Sequence, residues 1–452
     1  MIVSMPIIDA NETNYNDCVH ILRTYESWIA EIYKQAGLLD KIPDRENPEL
    51  VEATAAPGQT YAHINFTDGD KMKDMKIPFA GDQLTRVRFA GAKHIMAHSG
   101  TPMDRLEHCS PFQIAMFHTR ASLLQYSHHL LHKPDSVNQK GTLKYFREKL
   151  NRKNSTPAKV LDSYQGSEEL FISMGRAYII TAALDFFGME SLDEKPTLNK
   201  FPKNLIHDTL QKKKEYFDKV LGDFVDRFVF QKGAIPESDD FVKNYGLCSI
   251  FLTLVLLQLI DTTKEGDGDR NLINQKLLLS IFKSLGAYSK CAIEMFLSIA
   301  QIECLLTPRL SEQFKWGFFV NWRGGAGNNI EDDTAQEIMN CISKNIVKRM
   351  GPNKTIESIS KVCKATSGIK EIIENVDREL NIHKPSSHHT THDALKDEKE
   401  MIKDLQELKP FIHTPGRAHQ SFQDIKRTPL LYNNIADFHK WIDTQIQRIY
   451  LI

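Results

Sequence analysis

Apolar positions recur at helical spacing near the start of the chain. Between residues 14 and 38, Val19, Ile21, Leu22, Trp28, Ile29, Ile32 and Tyr33 follow the helical period, and the pattern stops at Gly37. A helix is expected there. Residues 40–58 are rich in Pro, Asp and Glu and read as a loop. The period then changes: Tyr61 to Phe66 alternates as a half-buried strand does, and Asp68-Gly69-Asp70 marks a turn. Met75 to Ala80 is a second short apolar run, in which Pro78 favours a sheet edge. A helix over residues 84–98, a third strand over Phe112 to His118 and a helix over Thr119 to His132 continue the alternation. Alternating strands and helices are the pattern of an α/β unit.

From Gly141 only the helical period remains. Leu143 to Leu150, Glu168 to Phe187, Asn204 to Phe230, Phe241 to Ile260, Asn271 to Leu285 and Tyr288 to Leu306 are successive helical patterns with short polar or Gly/Pro joints, as in helix bundles. Trp316 to Val320 is another short apolar run, ended by the Gly-rich stretch Arg323 to Asn328. That stretch lacks the Lys-Ser/Thr of a phosphate cradle and reads as a connector to a helix over Asp333 to Arg349. Residues 383–393, with four histidines, read as a solvated linker; metal capture by His383, His388, His389 and His392 is the other reading. Helices are expected at both ends of Asp397 to Ile452. The expected organisation is an N-terminal helix and loop (1–58), the first part of an α/β core (59–135), an all-α insertion (136–312), the second part of the core (313–382), a linker (383–396) and a C-terminal helical region (397–452).

Composition narrows the classes little. The chain of 452 residues carries 57 Lys and Arg against 58 Asp and Glu, so its overall charge does not mark a strongly basic nucleic-acid binder. Local basic clusters occur at Lys144, Arg147, Lys149, Arg152 and Lys153, at Lys212 to Lys214, and at Lys344, Lys348 and Arg349. They suit phosphates or simply solvated helix faces. The seven cysteines form no CxxC pair and read as reduced thiols of an intracellular protein. Met1 to Pro6 lacks the features of a secretory signal. The longest apolar run, Leu247 to Ile260, falls short of the ~20 residues of a membrane helix and is expected to be a buried core helix. No membrane association is expected.

Chemistry concentrates in two places. Phe79-Ala80-Gly81-Asp82-Gln83-Leu84-Thr85 puts an acid directly after an apolar run, where α/β sheets present metal ligands and catalytic groups. Far downstream, Asn329-Ile330-Glu331-Asp332-Asp333 precedes Glu337 and Asn340 at helical spacing. One acid on a strand and another on a distant helix can assemble a divalent-metal site; helix capping by Asp82 and an acidic helix start are the plainer reading. His94 with His98, and His128 with His132, stand four apart without the Glu of a zinc protease and read as surface or core residues, while His118 follows an apolar run. Gly266-Asp267-Gly268-Asp269 lacks the later Gly and Glu of a calcium loop and reads as a turn and helix cap.

Several short motifs, in order, carry a resemblance. They are Gly81 to Thr85 with Arg88 and Gly91-Ala92; Phe117-His118-Thr119; Gly141-Thr142-Leu143 with Asn151-Arg152; Glu265 to Arg270; and Leu306 to Arg309. Phe319-Val320-Asn321 with Gly327 to Ile330 follow, then Asp333, Glu337 and Asn340, and finally Thr414 to Arg417 with His419 and Ser421-Phe422. The chain resembles domain of unknown function 6589, a family multi-copy in invertebrate genomes and associated with mobile elements. The resemblance implies an RNase H-like α/β core split by a large helical insertion, as in cut-and-paste transposases. It implies Asp82 as the second acid and Glu337 as the third, with Asp333 as a nearby alternate, together holding Mg²⁺. Such ions activate a water or 3′-hydroxyl and prefer carboxylate oxygen. Asn329 and Asn340 would orient the site or simply cap and meet solvent. An upstream first acid is missing from the pattern: Asp9, Asp17, Asp68 and Asp70 precede Asp82, none after a convincing apolar strand. The expected function is therefore that of a truncated or domesticated transposase-like domain that binds DNA or performs metal-dependent phosphoryl transfer, catalysis being in question. DNA is the expected partner and the nucleus the expected location. A non-catalytic helical scaffold that binds protein or nucleic acid is the alternative, and the oligomeric state is left open.

Overall fold

The computed structural model describes residues 5–38, 77–101, 104–200, 202, 204–230, 239–352, 354–382 and 394–450. The expected strand Tyr61 to Phe66, the turn and acids at Asp68 and Asp70, the loop at 40–58 and the histidines of 383–393 lie outside the described residues. The elements run α1 (Tyr15–Gln35), β1 (Ile77–Gly81), α2 (Gln83–Ile95), β2 (Cys109–Ile114), α3 (Met116–Leu131), α4 (Leu143–Lys149), α5 (Tyr164–Phe187) and α6 (Leu210–Val225). They continue with α7 (Phe241–Glu265), α8 (Gly268–Ser284), α9 (Ser289–Ala300), α10 (Pro308–Trp316), β3 (Phe319–Val320), β4 (Ile330–Glu331), α11 (Asp332–Arg349), α12 (Ile356–Glu379), α13 (Ala394–Leu408) and α14 (Ile435–Tyr450). The protein is mainly helical.

Contacts divide the chain into two compact units interleaved in sequence. The first comprises 1–116, 301–325 and 330–382; the second comprises 117–300, 326–329 and 383–452. In the first unit, β1 and β2 pair in parallel, with Phe79 opposite Phe112 and Gly81 opposite Ile114. Parallel strands need a crossover, and α2 supplies it. Cys18, Val19 and Leu22 of α1 pack with Ala92, Leu106 and Cys109, and Phe79 and Phe89 close the cluster. A Cβ added at Gly91 would fall 2.5 Å from the Tyr15 ring, so glycine is what lets α2 approach α1 this closely. The short antiparallel ladder of β3 and β4 follows, with Phe319 opposite Glu331, and α11 packs on α12, β1 and β3. The apolar run expected as a strand over Phe112 to His118 is divided: β2 ends at Ile114 and α3 begins at Met116. An unbroken apolar stretch carries no mark of where one period yields to the other.

The second unit is a helical array in which α5 packs on α7 and α13, and α8 pairs with α9. Thr142, Thr209, Asp240 and Asp267 cap the starts of α4, α6, α7 and α8, each accepting a hydrogen bond from the backbone N–H three residues on. Such caps satisfy donors that the helix itself leaves unpaired. Asp267 is thus a cap, as its sequence context suggests. A Cβ at Gly175 would lie 2.0 Å from Thr253 Oγ1, which fixes α5 against α7 at close range. The apolar run expected to be too short for a membrane is part of a 25-residue helix, α7, and both it and α5 are long and apolar enough to cross a bilayer. Length does not distinguish α7 from a spanning helix; burial does, since 67% of its most apolar window lies within the fold.

The C-terminal stretch closes over α7. Asp240, fully buried, caps α7 through Lys243 N–H at 2.9 Å and accepts from Thr414 N–H at 2.8 Å. Arg417 meets it in a fork, Nη2 to Oδ2 at 2.7 Å and Nε to Oδ1 at 3.1 Å. The same guanidinium donates to the carbonyls of Leu408, Lys409, Pro410 and Ile412. Burial alone would raise the Asp240 carboxyl, but Arg417 and the two backbone donors outweigh it and hold it below its ordinary value. Phe411 then packs on Tyr178, and Phe422 on Tyr245.

Candidate functional site

The expected acids all lie in the first unit, and the structure treats each differently. Asp82 follows the last residue of β1 and caps α2, its Oδ1 accepting from Thr85 N–H at 2.7 Å. The plainer reading of this residue therefore describes its geometry, although the acid does stand at the carboxyl end of a parallel strand, where such sheets place ligands. Asp333 lies in the first turn of α11, half-buried. Glu337 is exposed. The buried residues of α11 are Ala335 and Met339; at a helical step of about 100° per residue, Glu337 projects from nearly the opposite side. Asn340 accepts from Gln336 Nε2 at 2.9 Å, and Asn329 donates to the Lys264 carbonyl at 2.9 Å within the second unit.

The acid that the fold brings to the parallel strands is Asp332, which sequence reasoning passed over in favour of its neighbour. It shares the side of α11 that carries Ala335 and Met339. Gln113, buried on β2, donates Nε2–H to Asp332 Oδ2 at 3.2 Å. Asp333 N–H donates to the other oxygen at 2.9 Å, and Asp332 N–H closes onto the Phe318 carbonyl at 3.1 Å. A Cβ at Gly317 would come 3.1 Å from Gln113 Oε1, so the bare backbone there makes room for the Gln113 side chain. Glu331, 3% exposed, accepts from Thr334 Oγ1 at 3.0 Å. Burial, then the charge of Asp333, with a smaller push from Glu331, raises the Asp332 carboxyl to about 8 against the backbone bonds that favour its anion. The signal that could have singled it out is phase: in Glu331-Asp332-Asp333 only the middle acid falls three and seven residues before Ala335 and Met339.

These placements bear on the expected Mg²⁺. A metal pair needs carboxylate oxygens free to converge. Asp82 Oδ1 is engaged by a helix cap, both oxygens of Asp332 accept amide donors, and Glu337 faces away from the buried side of α11. Among the described residues no three His, Cys, Asp or Glu side chains gather as a metal-holding group. As arranged here, the described residues do not fit a metal pair.

The histidines that sequence spacing offered to metals are placed otherwise. His128 is buried, with Nδ1 at 3.0 Å from the Leu124 carbonyl and Nε2 at 3.1 Å from Ser155 Oγ. Burial lowers His128 and His132 to about 4, so both are neutral core residues. His118 is exposed on α3. The basic cluster at 144–153 is largely neutralised within the second unit: Lys144 and Arg147 meet Glu148, Lys149 meets Glu400 and Asp404, and Arg152 meets Asp397.

The geometry defines a class first: a mainly helical protein that carries a small, continuous βαβ unit, followed by a long helical segment, with an acid-rich helix start returning to the end of its parallel strands. The chain belongs to the family of unknown function DUF6589, whose model matches residues 2–389. No curated protein and no solved structure gives a significant match. The Thr414 to Phe422 segment, part of the resemblance in the sequence, lies beyond the matched residues, and its Arg417 has the structural role described above.

Proposed function

We propose that this chain is a mobile-element-derived domain with a split RNase H-like core, and that it binds DNA without metal-dependent cleavage. The observation that carries the reading is the discontinuity of the first unit, which gathers β1, β2 and α11 across the intervening residues 117–300. A strand-borne acid, a long helical insertion and a returning acid-bearing helix match the order implied by the resemblance. The loss of cleavage rests on how the acids are used. Asp82 works as a cap, both oxygens of Asp332 accept amide donors, and Glu337 meets solvent.

Lys212, Lys213 and Lys214 on α6 are exposed and supply cations for phosphate contacts. Binding of this kind is electrostatic and weakens steeply with salt. The test is fluorescence anisotropy with a labelled duplex in EDTA and in Mg²⁺, with the products resolved on a gel. Saturable, salt-sensitive binding in both buffers is expected, without cleavage, weakened by K212E/K213E/K214E and retained by Asp82→Asn. Mg²⁺-dependent cleavage that Asp82→Asn or Glu337→Gln abolishes would overturn the non-catalytic part. Absence of duplex binding would leave the helical scaffold that engages protein.

A further inference from the structure

The first unit holds a cavity of about 950 Å³ that none of the chemistry above uses. It is a half-open cleft bordered by the N-terminal coil Met5 to Ala10, α1, the end of β1, α11 and α12. Ile8, Ile21, Met339, Val347 and Ile359 give it an apolar wall, beside the polar Gln336, Asn340 and Ser343. Two cations stand on one wall: Lys344 and Lys348, one turn apart on α11 and both exposed at their tips. The acid among the lining residues, Glu12, is engaged by Arg88 at 2.7 Å. Its volume is in the range that small-molecule sites take.

From this juxtaposition of an apolar cavity and a paired-lysine wall, we infer that the first unit binds a free anionic amphiphile, with a carboxylate, sulfate or phosphate head on an apolar body. The apolar body occupies the space between α1 and α11, where its removal from water drives binding. The head sits against Lys344 and Lys348, whose helical spacing of four aligns both ammonium groups on one side of α11. Long lysine stems pack along apolar surface while their charge stays at the rim, which suits a ligand that enters tail first.

Laurate is the probe, titrated into the full chain by calorimetry without DNA and below its aggregation concentration. One saturable site is expected. Lys344→Glu with Lys348→Glu reverses charge at exposed positions and should leave the melting temperature near that of the parent, while weakening laurate by about tenfold or more. Dodecyltrimethylammonium, with the same chain and a cationic head, should bind the parent at least about tenfold more weakly than laurate. No saturable laurate binding would overturn the site. Equal binding of the two amphiphiles, or laurate affinity untouched in the folded double variant, would overturn the role of the lysines. Co-sedimentation with phosphatidylglycerol vesicles that laurate does not compete away would overturn the assignment to a free ligand.

Discussion

Removing the Arg417 guanidinium should cost the second unit a large share of its stability. Arg417→Ala removes the guanidinium from a fully buried Asp240 and takes a donor from the carbonyls of Leu408, Lys409, Pro410 and Ile412. Deleting one partner of a buried ion pair costs about 3–5 kcal/mol, because the other charge is left uncompensated. At about 2–4 °C per kcal/mol for a unit of this size, the melting temperature should fall by roughly 6–20 °C. Arg417→Lys keeps the charge but not the fork, and should lose about half as much. A thermal melt followed by circular dichroism reads these values, and a cycle with Asp240→Asn isolates the coupling, expected to exceed ~2 kcal/mol. The pH dependence follows from the lowered Asp240 value: the stabilisation is present above the unfolded carboxylate range and is lost as pH falls through the depressed folded value. The penalty of Arg417→Ala should therefore be full at neutral pH and shrink in acid. An Arg417→Ala melt within a degree or two of the parent, or a cycle without coupling, would refute the reasoning.

Asp332→Asn should stabilise the first unit on the alkaline side. The Asp332 carboxyl is raised to about 8, so the parent loses stability as pH climbs from the ordinary carboxylate range through that value, whereas the amide does not titrate. A gain on the order of a few kcal/mol by pH 9 is the expectation in urea titrations. His128, His132 and His419 are lowered to about 4, mainly by burial, so the unfolded chain takes up protons first as pH drops below about 6.5. Stability should fall between about 6.5 and 4, and His132→Phe should flatten that fall in chemical denaturation profiles. Gly175→Ala would place a Cβ 2.0 Å from Thr253 Oγ1 and should cost about 1–3 kcal/mol by overpacking, seen as a lowered denaturation midpoint.

The helices of the second unit were legible because each signal there is local. Leu143, Phe241 and Gly268 open helices just after Thr142, Asp240 and Asp267, and Gly188 and Gly266 end two in left-handed conformation. The expected helices at both ends of the C-terminal region correspond to α13 and α14. What stayed hidden is long-range or a matter of phase. Nothing in the 144–153 cluster announces that its partners are acids of α13 some 250 positions later, nor that Asp240 waits for Arg417. Helices α10 and α12 were not anticipated, because short or weakly buried stripes leave little periodic trace. At the acidic helix start, the sequence indicated the right three residues but not the rotation that sends Asp332 inward to Gln113 and Glu337 to solvent.

The interleaving of the two units constrains how the chain matures on the ribosome. When β1, α2 and β2 have emerged, their packing partner α11 has yet to be made, and the next residues to appear belong to the other unit. That unit must in turn wait for α13 and Arg417, which follow the last segment of the first. The first unit cannot complete its core until residues 330–382 have been made, nor the second until Arg417 has followed them. Until those segments emerge, the nascent chain carries two unfinished apolar surfaces, including those of α5 and α7. Partly built cores of this kind are aggregation-prone and are natural clients of chaperones.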